Sequence, residues 1–306
     1  MEKQQLIKML IGDLSWQRLL KSLIFIYIFF SGYVYFRADS MIFLSQPSTY
    51  EDNPGIIKLK SGEDTNISAI YLLNNKANYT ILYSHGNSED LGDIKQILEK
   101  LHDWGFSVFA YDYRGYGTSQ GKPTETHAYE DINSAYNYLT QNLKISPERI
   151  IVLGRSVGGG SAVNLAMQKP VAGLIIESSF ISAFQVIVPF RILPFDKFPN
   201  LEKIKKVKCP ILVIHGKADD IIPFAHGEKL FNAAISPKLS LWIDEANHND
   251  LFLIAEEKYQ KTLQEFTKLV KANQELSHVR VISYDSHSHC TPPPAPPLTK
   301  GRGDEA

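Results

Sequence analysis

From about residue 65 onward, short apolar runs alternate with stretches in which apolar residues recur every three or four positions. Residues 67–73 alternate as a half-buried strand does, and 79–84 form a short apolar run that reads as another strand. The pattern then predicts a helix over 90–103 and a strand over 106–111. A helix over 128–143 follows, with Tyr129, Ile132, Tyr136 and Leu139 on one side, and then a strand over 149–153. A helix over 157–168 and a strand over 171–176 continue the series. Strands at 211–214 and 239–243 flank a helix over 225–234, and a last helix covers 250–271. Short apolar strands alternating with helices predict an α/β fold, with a mostly parallel central sheet and helices on both faces.

The N-terminus breaks this alternation. Residues 22–36 carry no charge, lie between Lys21 and Arg37, and are apolar all round a helix. The run is shorter than the roughly 20 residues that span a bilayer. Leu19, Leu20 and Ala38 extend it, both flanking side chains can snorkel, and Tyr27, Tyr33 and Tyr35 suit an interface. The expectation is an uncleaved membrane helix. A cleaved signal peptide, whose apolar region has about this length, is the rival reading, and a buried core helix is a third. Lys3, Lys8, Arg18 and Lys21 precede the run, and only Arg37 follows it before Lys58. The positive-inside rule therefore leaves the N-terminus in the cytoplasm and the folded domain on the opposite side. Leu6, Ile7, Leu10, Ile11 and Leu14 form an amphipathic lead-in. The expected organisation is an anchor over 1–37, a linker over 38–55, the α/β domain over 56–272 and a tail without fixed structure over 273–306.

Composition changes this picture little. Net charge is −1 and 21% of residues are charged, with no basic stripe, so no nucleic-acid partner is expected. Two cysteines, Cys209 and Cys290, cannot form a disulfide framework, and Cys209 precedes an apolar strand as a buried thiol would. The tail is proline-rich over 292–297. It holds Arg302-Gly303-Asp304, a chance tripeptide here, and His278, His287, His289 and Cys290, whose spacing fits no defined metal site.

Gly-x-Ser-x-Gly occurs twice, around Ser119 and around Ser156. A nucleophile elbow is a sharp turn from strand to helix, and glycines two residues either side relieve its crowding. Ser156 has a strand before it and a helix after it. Ser119 lies between Asp112-Tyr113-Arg114-Gly115-Tyr116 and Gly121-Lys122-Pro123, a loop on both sides. Ser156 is thus the candidate nucleophile and Ser119 is loop structure. The backbone N–H of Val157, at the helix start, is the first candidate oxyanion donor, and that of Asn87, in Ser84-His85-Gly86-Asn87 after a strand, is the second. His85 reads as a structural loop residue. Asp219, preferred to its neighbour Asp220, follows the strand 211–214, and His248 lies in the loop before the last helix. Serine, acid and histidine fall in the chain order that a strand-to-helix nucleophile elbow requires.

These motifs together resemble the α/β-hydrolase superfamily, in the serine hydrolase group that includes the α/β-hydrolase-domain protein depalmitoylases and serine-aminopeptidase-like hydrolases. The matching segments are Ser84-His85-Gly86-Asn87, Tyr111-Asp112-Tyr113-Arg114-Gly115-Tyr116-Gly117, Gly154-Arg155-Ser156-Val157-Gly158, His215-Gly216-x-x-Asp219 and His248-Asn249-Asp250, within about residues 65–270. In that group the first aspartate after His-Gly-x-x is the triad acid, which implies Asp219. The resemblance implies an α/β-hydrolase fold and a serine hydrolase acting on an acyl ester or thioester without metal or organic cofactor. An amidase or peptidase of the same fold, or an inactive membrane scaffold, are the alternatives. Specificity is expected in the insert 181–199, which carries Phe184, Val186, Ile187, Val188, Phe190, Ile192, Leu193, Phe195 and Phe198. That insert is either a short lid or a core-packing helix. The expected partners are an acyl-containing small molecule or lipidated substrate, and the lipid bilayer.

Overall fold

The computed structural model describes residues 15–287, with side-chain environments through residue 276. The chain opens with α1 (Trp16–Ile42) and then lays down β1 (Ile57–Ser61), β2 (Thr65–Leu72), β3 (Thr80–Ser84), α2 (Lys95–Asp103), β4 (Ser107–Tyr111) and α3 (Glu125–Asn137). It continues through β5 (Ile150–Arg155), α4 (Gly158–Gln168), β6 (Gly173–Glu177), α5 (Phe184–Ile187), α6 (Asn200–Ile204) and β7 (Ile211–Gly216). It closes with α7 (Ala225–Ala233), β8 (Lys238–Ile243) and α8 (Leu251–His287). All eight strands form one sheet in the order β1-β2-β4-β3-β5-β6-β7-β8. The β1–β2 and β2–β4 pairs are antiparallel and every later pair is parallel. Strand order reverses at β3, so the connections leaving β3 and β5 diverge to opposite faces and open a crevice at their C-terminal ends.

The strands are apolar throughout because both faces are covered. Leu82, Phe109, Val152, Ile176 and Val213 pack with Ile132 of α3, Val163 of α4 and Leu230 of α7. Their chain neighbours Ile81, Val108, Ile151, Ile175 and Ile214 point the other way, onto Leu98 of α2 and Leu263 and Phe266 of α8. A period of two thus divides each strand between two cores.

Several boundaries differ from expectation. β1 was not anticipated. α2 starts at Lys95, because the Asp90 carboxylate accepts the N–H groups of Gly92 (2.9 Å) and Asp93 (3.2 Å) and holds 90–94 as a turn. α3 ends at Asn137 and continues as a π-helical turn, Tyr138–Asn142. α8 kinks at Ala255 (φ −133°, ψ 33°) and runs to His287, into the segment expected to lack structure. α1 reaches Ile42, beyond the expected end of the anchor. The lead-in residues Leu6, Ile7, Leu10, Ile11 and Leu14, and the tail from residue 288 with His289, Cys290 and Arg302-Gly303-Asp304, lie outside the described residues, as do the side chains of His278 and His287.

By length and composition α1 is able to cross a membrane, and only 6% of its most apolar window is buried, the opposite of a core helix. Its buried residues, Ser31, Val34 and Ala38, lie three and four apart and make a single stripe toward the domain. The segment expected to be a linker is laid onto the domain. Thr49 N–H donates to Asp90 Oδ2 (2.7 Å), and Tyr50 Oη to Asp112 Oδ2 (2.5 Å).

Candidate active site

β5 ends in Arg155, and the chain turns at Ser156 with φ +53°, a left-handed conformation that a residue with a Cβ adopts only under strain. The flanking glycines make the turn possible. A Cβ on Gly154 would lie 2.4 Å from the Gly158 carbonyl oxygen, and one on Gly158 would lie 2.2 Å from the Ser84 carbonyl oxygen. Ser156 N–H donates to the Glu177 carbonyl (2.8 Å), and Ser179 Oγ donates to the Ser156 carbonyl (2.8 Å), pinning the turn to the end of β6.

His248 arrives from the loop after β8. Its Nε2 lies 3.1 Å from Ser156 Oγ and its Nδ1 lies 2.8 Å from Asp219 Oδ2. All three residues are largely buried. The other Asp219 oxygen accepts the N–H groups of Ile221 (3.0 Å) and Ile222 (2.7 Å), and His215 Nε2 stands 3.3 Å from Oδ2. Burial alone would raise the Asp219 pKa. The hydrogen bonds from His215, His248 and the Ile222 N–H outweigh it and hold the carboxyl well below the usual carboxylate range. Asp220 is exposed, and its N–H donates to Asn247 Oδ1 (3.1 Å) in the histidine loop.

The residues expected to be structural are engaged elsewhere. Ser119 Oγ accepts from Ser68 N–H (2.8 Å) and donates to the Asp112 carbonyl (3.1 Å). His85 is fully buried, packs at a tilt against the rings of Tyr113 and Tyr116, and holds Nε2 3.3 Å from Asp112 Oδ1. Burial pushes the Cys209 thiol up to about 12, which leaves it unreactive.

Asn87 and Val157 both line the cavity that holds Ser156 and His248, and among the described residues neither backbone N–H has an acceptor. The Asn87 side chain is spent on position. Its Oδ1 accepts from Leu44 N–H (2.9 Å) and Tyr116 Oη (2.7 Å), and its Nδ2 donates to the Ile42 carbonyl (2.7 Å). The end of α1 and the segment after it therefore brace this loop, a role the sequence did not reveal.

Arg155 is a second residue whose part was missed. Its guanidinium is buried and paired with Glu89, and its Nε lies 3.3 Å from Glu177 Oε1. Nη2 donates to the His248 carbonyl (3.2 Å) and to Asn249 Oδ1 (2.7 Å). Burial would lower the Arg155 pKa, but the Glu89 and Glu177 carboxylates more than restore it, so the group stays charged and clamps the histidine loop to the serine turn. Tyr259 Oη completes the network by donating to Glu177 Oε2 (2.5 Å). The only signal in the sequence was an arginine directly before the motif serine.

The serine aminopeptidase S33 family matches residues 75–195. Human α/β-hydrolase domain-containing protein 17B is 40% identical over 193 residues, covering 62% of this chain and 66% of that protein. The chain has the α/β-hydrolase fold. The Caenorhabditis elegans α/β-hydrolase domain-containing protein aho-3 is 38% identical over 211 residues, covering 67% of this chain and 60% of its own length. The aligned part of the chain thus spans somewhat less than two thirds of these relatives. Among solved structures, the Pyrococcus furiosus esterase Pf2001 superposes with a TM-score of 0.62 at 20% identity, over 74% of this chain and 98% of its own. The esterase EaEST from Exiguobacterium antarcticum gives 0.55 at 19% identity, over 69% and 98%. At such identity the likeness is one of fold.

Proposed function

We propose that this α/β-hydrolase is a membrane-anchored serine hydrolase that cleaves acyl esters or thioesters through an acyl-enzyme intermediate. The observation that carries the reading is the unbroken chain of contacts from Ser156 Oγ to His248 to Asp219, at a strained turn beside two N–H groups that have no acceptor among the described residues. His248 takes the Ser156 proton as Oγ attacks the acyl carbonyl. Asp219 fixes the imidazole tautomer and stabilises its cation. The Asn87 and Val157 N–H groups bind the tetrahedral oxyanion, and each such donor is worth roughly 3–4 kcal/mol. Collapse expels the alcohol or thiol, protonated by His248. Water, deprotonated by His248, then attacks the acyl-serine, releases the carboxylic acid and restores the serine proton.

The cavity favours acyl groups over peptides. Its wall includes Met41, Phe180, Val186 and Ile222 and, among the described residues, no carboxylate, whereas an aminopeptidase needs an anion for the substrate amine. A fluorophosphonate probe tests the reading directly. Rapid labelling of the intact chain is expected, and failure to label would leave an inactive scaffold. Arg155→Lys, which cannot span all the clamp contacts, should lower kcat by roughly 10²-fold while KM changes little, because a displaced base costs rate more than binding. An equal rise in KM would mean that Arg155 contacts substrate instead.

The anchor reading draws support from the seam. Ala38 is fully buried, and Asp39 Oδ1 accepts Glu125 N–H (3.0 Å), so cleavage near residue 38 would cut packed structure. With the N-terminus cytoplasmic, protease added to spheroplasts should degrade the hydrolase domain and spare a tag before Lys3. Full protection of the domain in the membrane fraction would reverse the assigned topology. Release of soluble protein lacking residues before about 38 would establish signal cleavage.

A further inference from the structure

A second cavity, of about 230 Å³, lies between α1 and the insert at 181–199. Phe30 and Val34 form its helix wall, and Phe190, Leu193 and Phe195 its insert wall. The cavity that contains Ser156 measures about 440 Å³. Met41 and Ile187 line both cavities, so the two are neighbours separated by two apolar side chains, one of them a flexible methionine. We propose that they are two halves of one site for a long-chain acyl group. The reacting carbonyl sits at Ser156, and the tail passes between Met41 and Ile187 into the chamber walled by the N-terminal helix. This rests on the acyl-hydrolase reading above and names its substrate class: a long-chain acyl ester or thioester residing in a bilayer.

The chamber is a built feature. Tyr27 Oη donates to the Ile192 carbonyl (2.8 Å), Tyr35 packs edge-on against Phe195, and Lys197 Nζ lies 3.0 Å from Asp39 Oδ1. These contacts hold the insert along the C-terminal part of α1. Asp196, one of the two charged residues on the chamber wall, is occupied in accepting the N–H groups of Phe184 (3.1 Å) and Lys197 (2.7 Å). Ile187, Phe190 and Ile192 are exposed next to the apolar surface of α1. A contiguous apolar surface of this kind meets lipid or a partner, and here it borders a cavity leading to the serine. A tail could enter from the bilayer without crossing water. The insert then acts as the lid that its sequence left open, with the anchor as its second wall.

The test uses the full chain in detergent and butanoyl and hexadecanoyl p-nitrophenyl esters. The reading is the ratio of kcat/KM for the longer ester to that for the shorter. Val34→Trp and Leu193→Trp fill the chamber from opposite walls, and each should lower the ratio at least tenfold. Phe25→Trp, on the exposed helix face, should leave it within twofold. An unchanged ratio in both filled variants would overturn the proposal. A binding arm does not depend on turnover: Ser156→Ala is photolysed with a hexadecanoyl ester bearing a diazirine at its terminal carbon. Cross-links in residues 30–34 or 187–195 are expected, and cross-links confined elsewhere would overturn the proposal. Failure of the hydrolase reading looks different: no turnover of either ester and no fluorophosphonate labelling, with the cross-links still mapping to the chamber. Hexadecanoyl glycerol in phosphatidylcholine vesicles and an S-hexadecanoyl peptide then distinguish a lipid from a lipidated protein as the source of the tail.

Discussion

Ser156→Ala is expected to lower kcat for ester hydrolysis by roughly 10⁶-fold, the loss seen when a triad nucleophile is removed. At about 1.4 kcal/mol per factor of ten, that is about 8 kcal/mol of transition-state stabilisation. Fluorophosphonate labelling should disappear with it. Ser119→Ala, whose hydroxyl only ties Ser68 N–H to the Asp112 carbonyl, should retain both activities. The strained turn supplies an internal control. Alanine keeps the Cβ and therefore the strain, so Ser156→Ala should melt close to the wild type. Ser156→Gly should be equally inactive yet more stable by about 1 kcal/mol, because glycine occupies φ +53° without penalty. A dead Ser119→Ala with an active Ser156→Ala would sink the assignment.

Asp219→Asn should cost about 10⁴-fold in kcat with little change in fold. The asparagine NH₂ group can face His248 Nδ1 and favour the tautomer whose Nε2 carries the proton, leaving Ser156 without a base. Asp220→Asn should cost little, and equal losses from the two variants would refute the choice. The depressed pKa of Asp219 fixes the sign of its pH dependence. Its ionised form is preferred in the folded state, so its stabilising contribution is present above the ordinary aspartate pKa near 3.8 and is lost as pH falls through the lower folded value. In Asp219→Asn acid unfolding should begin from a lower starting stability.

The sheet was legible because its strands are apolar on both faces, and runs such as 150–153 admit few other readings. β1 was missed because Ile57-Lys58-Leu59-Lys60-Ser61 lies at the edge, with its lysines outward, and gains its identity from pairing with β2. The serine elbow was separable from its decoy at Ser119 because a strand-to-helix turn leaves a local trace. The braces left none. Arg155 reaches Glu89, Glu177 and Asn249, all distant in sequence, and residues 42–50 read as a linker because their partners Asn87, Asp90 and Asp112 are polar groups in later loops. Hydrophobic periodicity does not register contacts of that kind. The insert stayed ambiguous for a related reason: the surface that gives it a role is the N-terminal helix.

On the proposed anchor reading, the hydrogen bond from Tyr27 to the Ile192 carbonyl also sets how far the α/β domain stands off the membrane helix. Only residues 16–26 of α1 extend past that point, about 16 Å at about 1.5 Å per residue, roughly half of a bilayer's ~30 Å hydrocarbon core. In a membrane, the remaining thickness must be met by the stretch of helix already clasped to the insert. A thicker bilayer then draws the insert inward, and a thinner one lifts it or tilts the helix and insert as a unit, so hydrophobic mismatch acts on the wall of the catalytic crevice itself. Activity measured in lipids of graded acyl length should accordingly pass through an optimum thickness. An enzyme tethered by a slack leash would respond to no such variable.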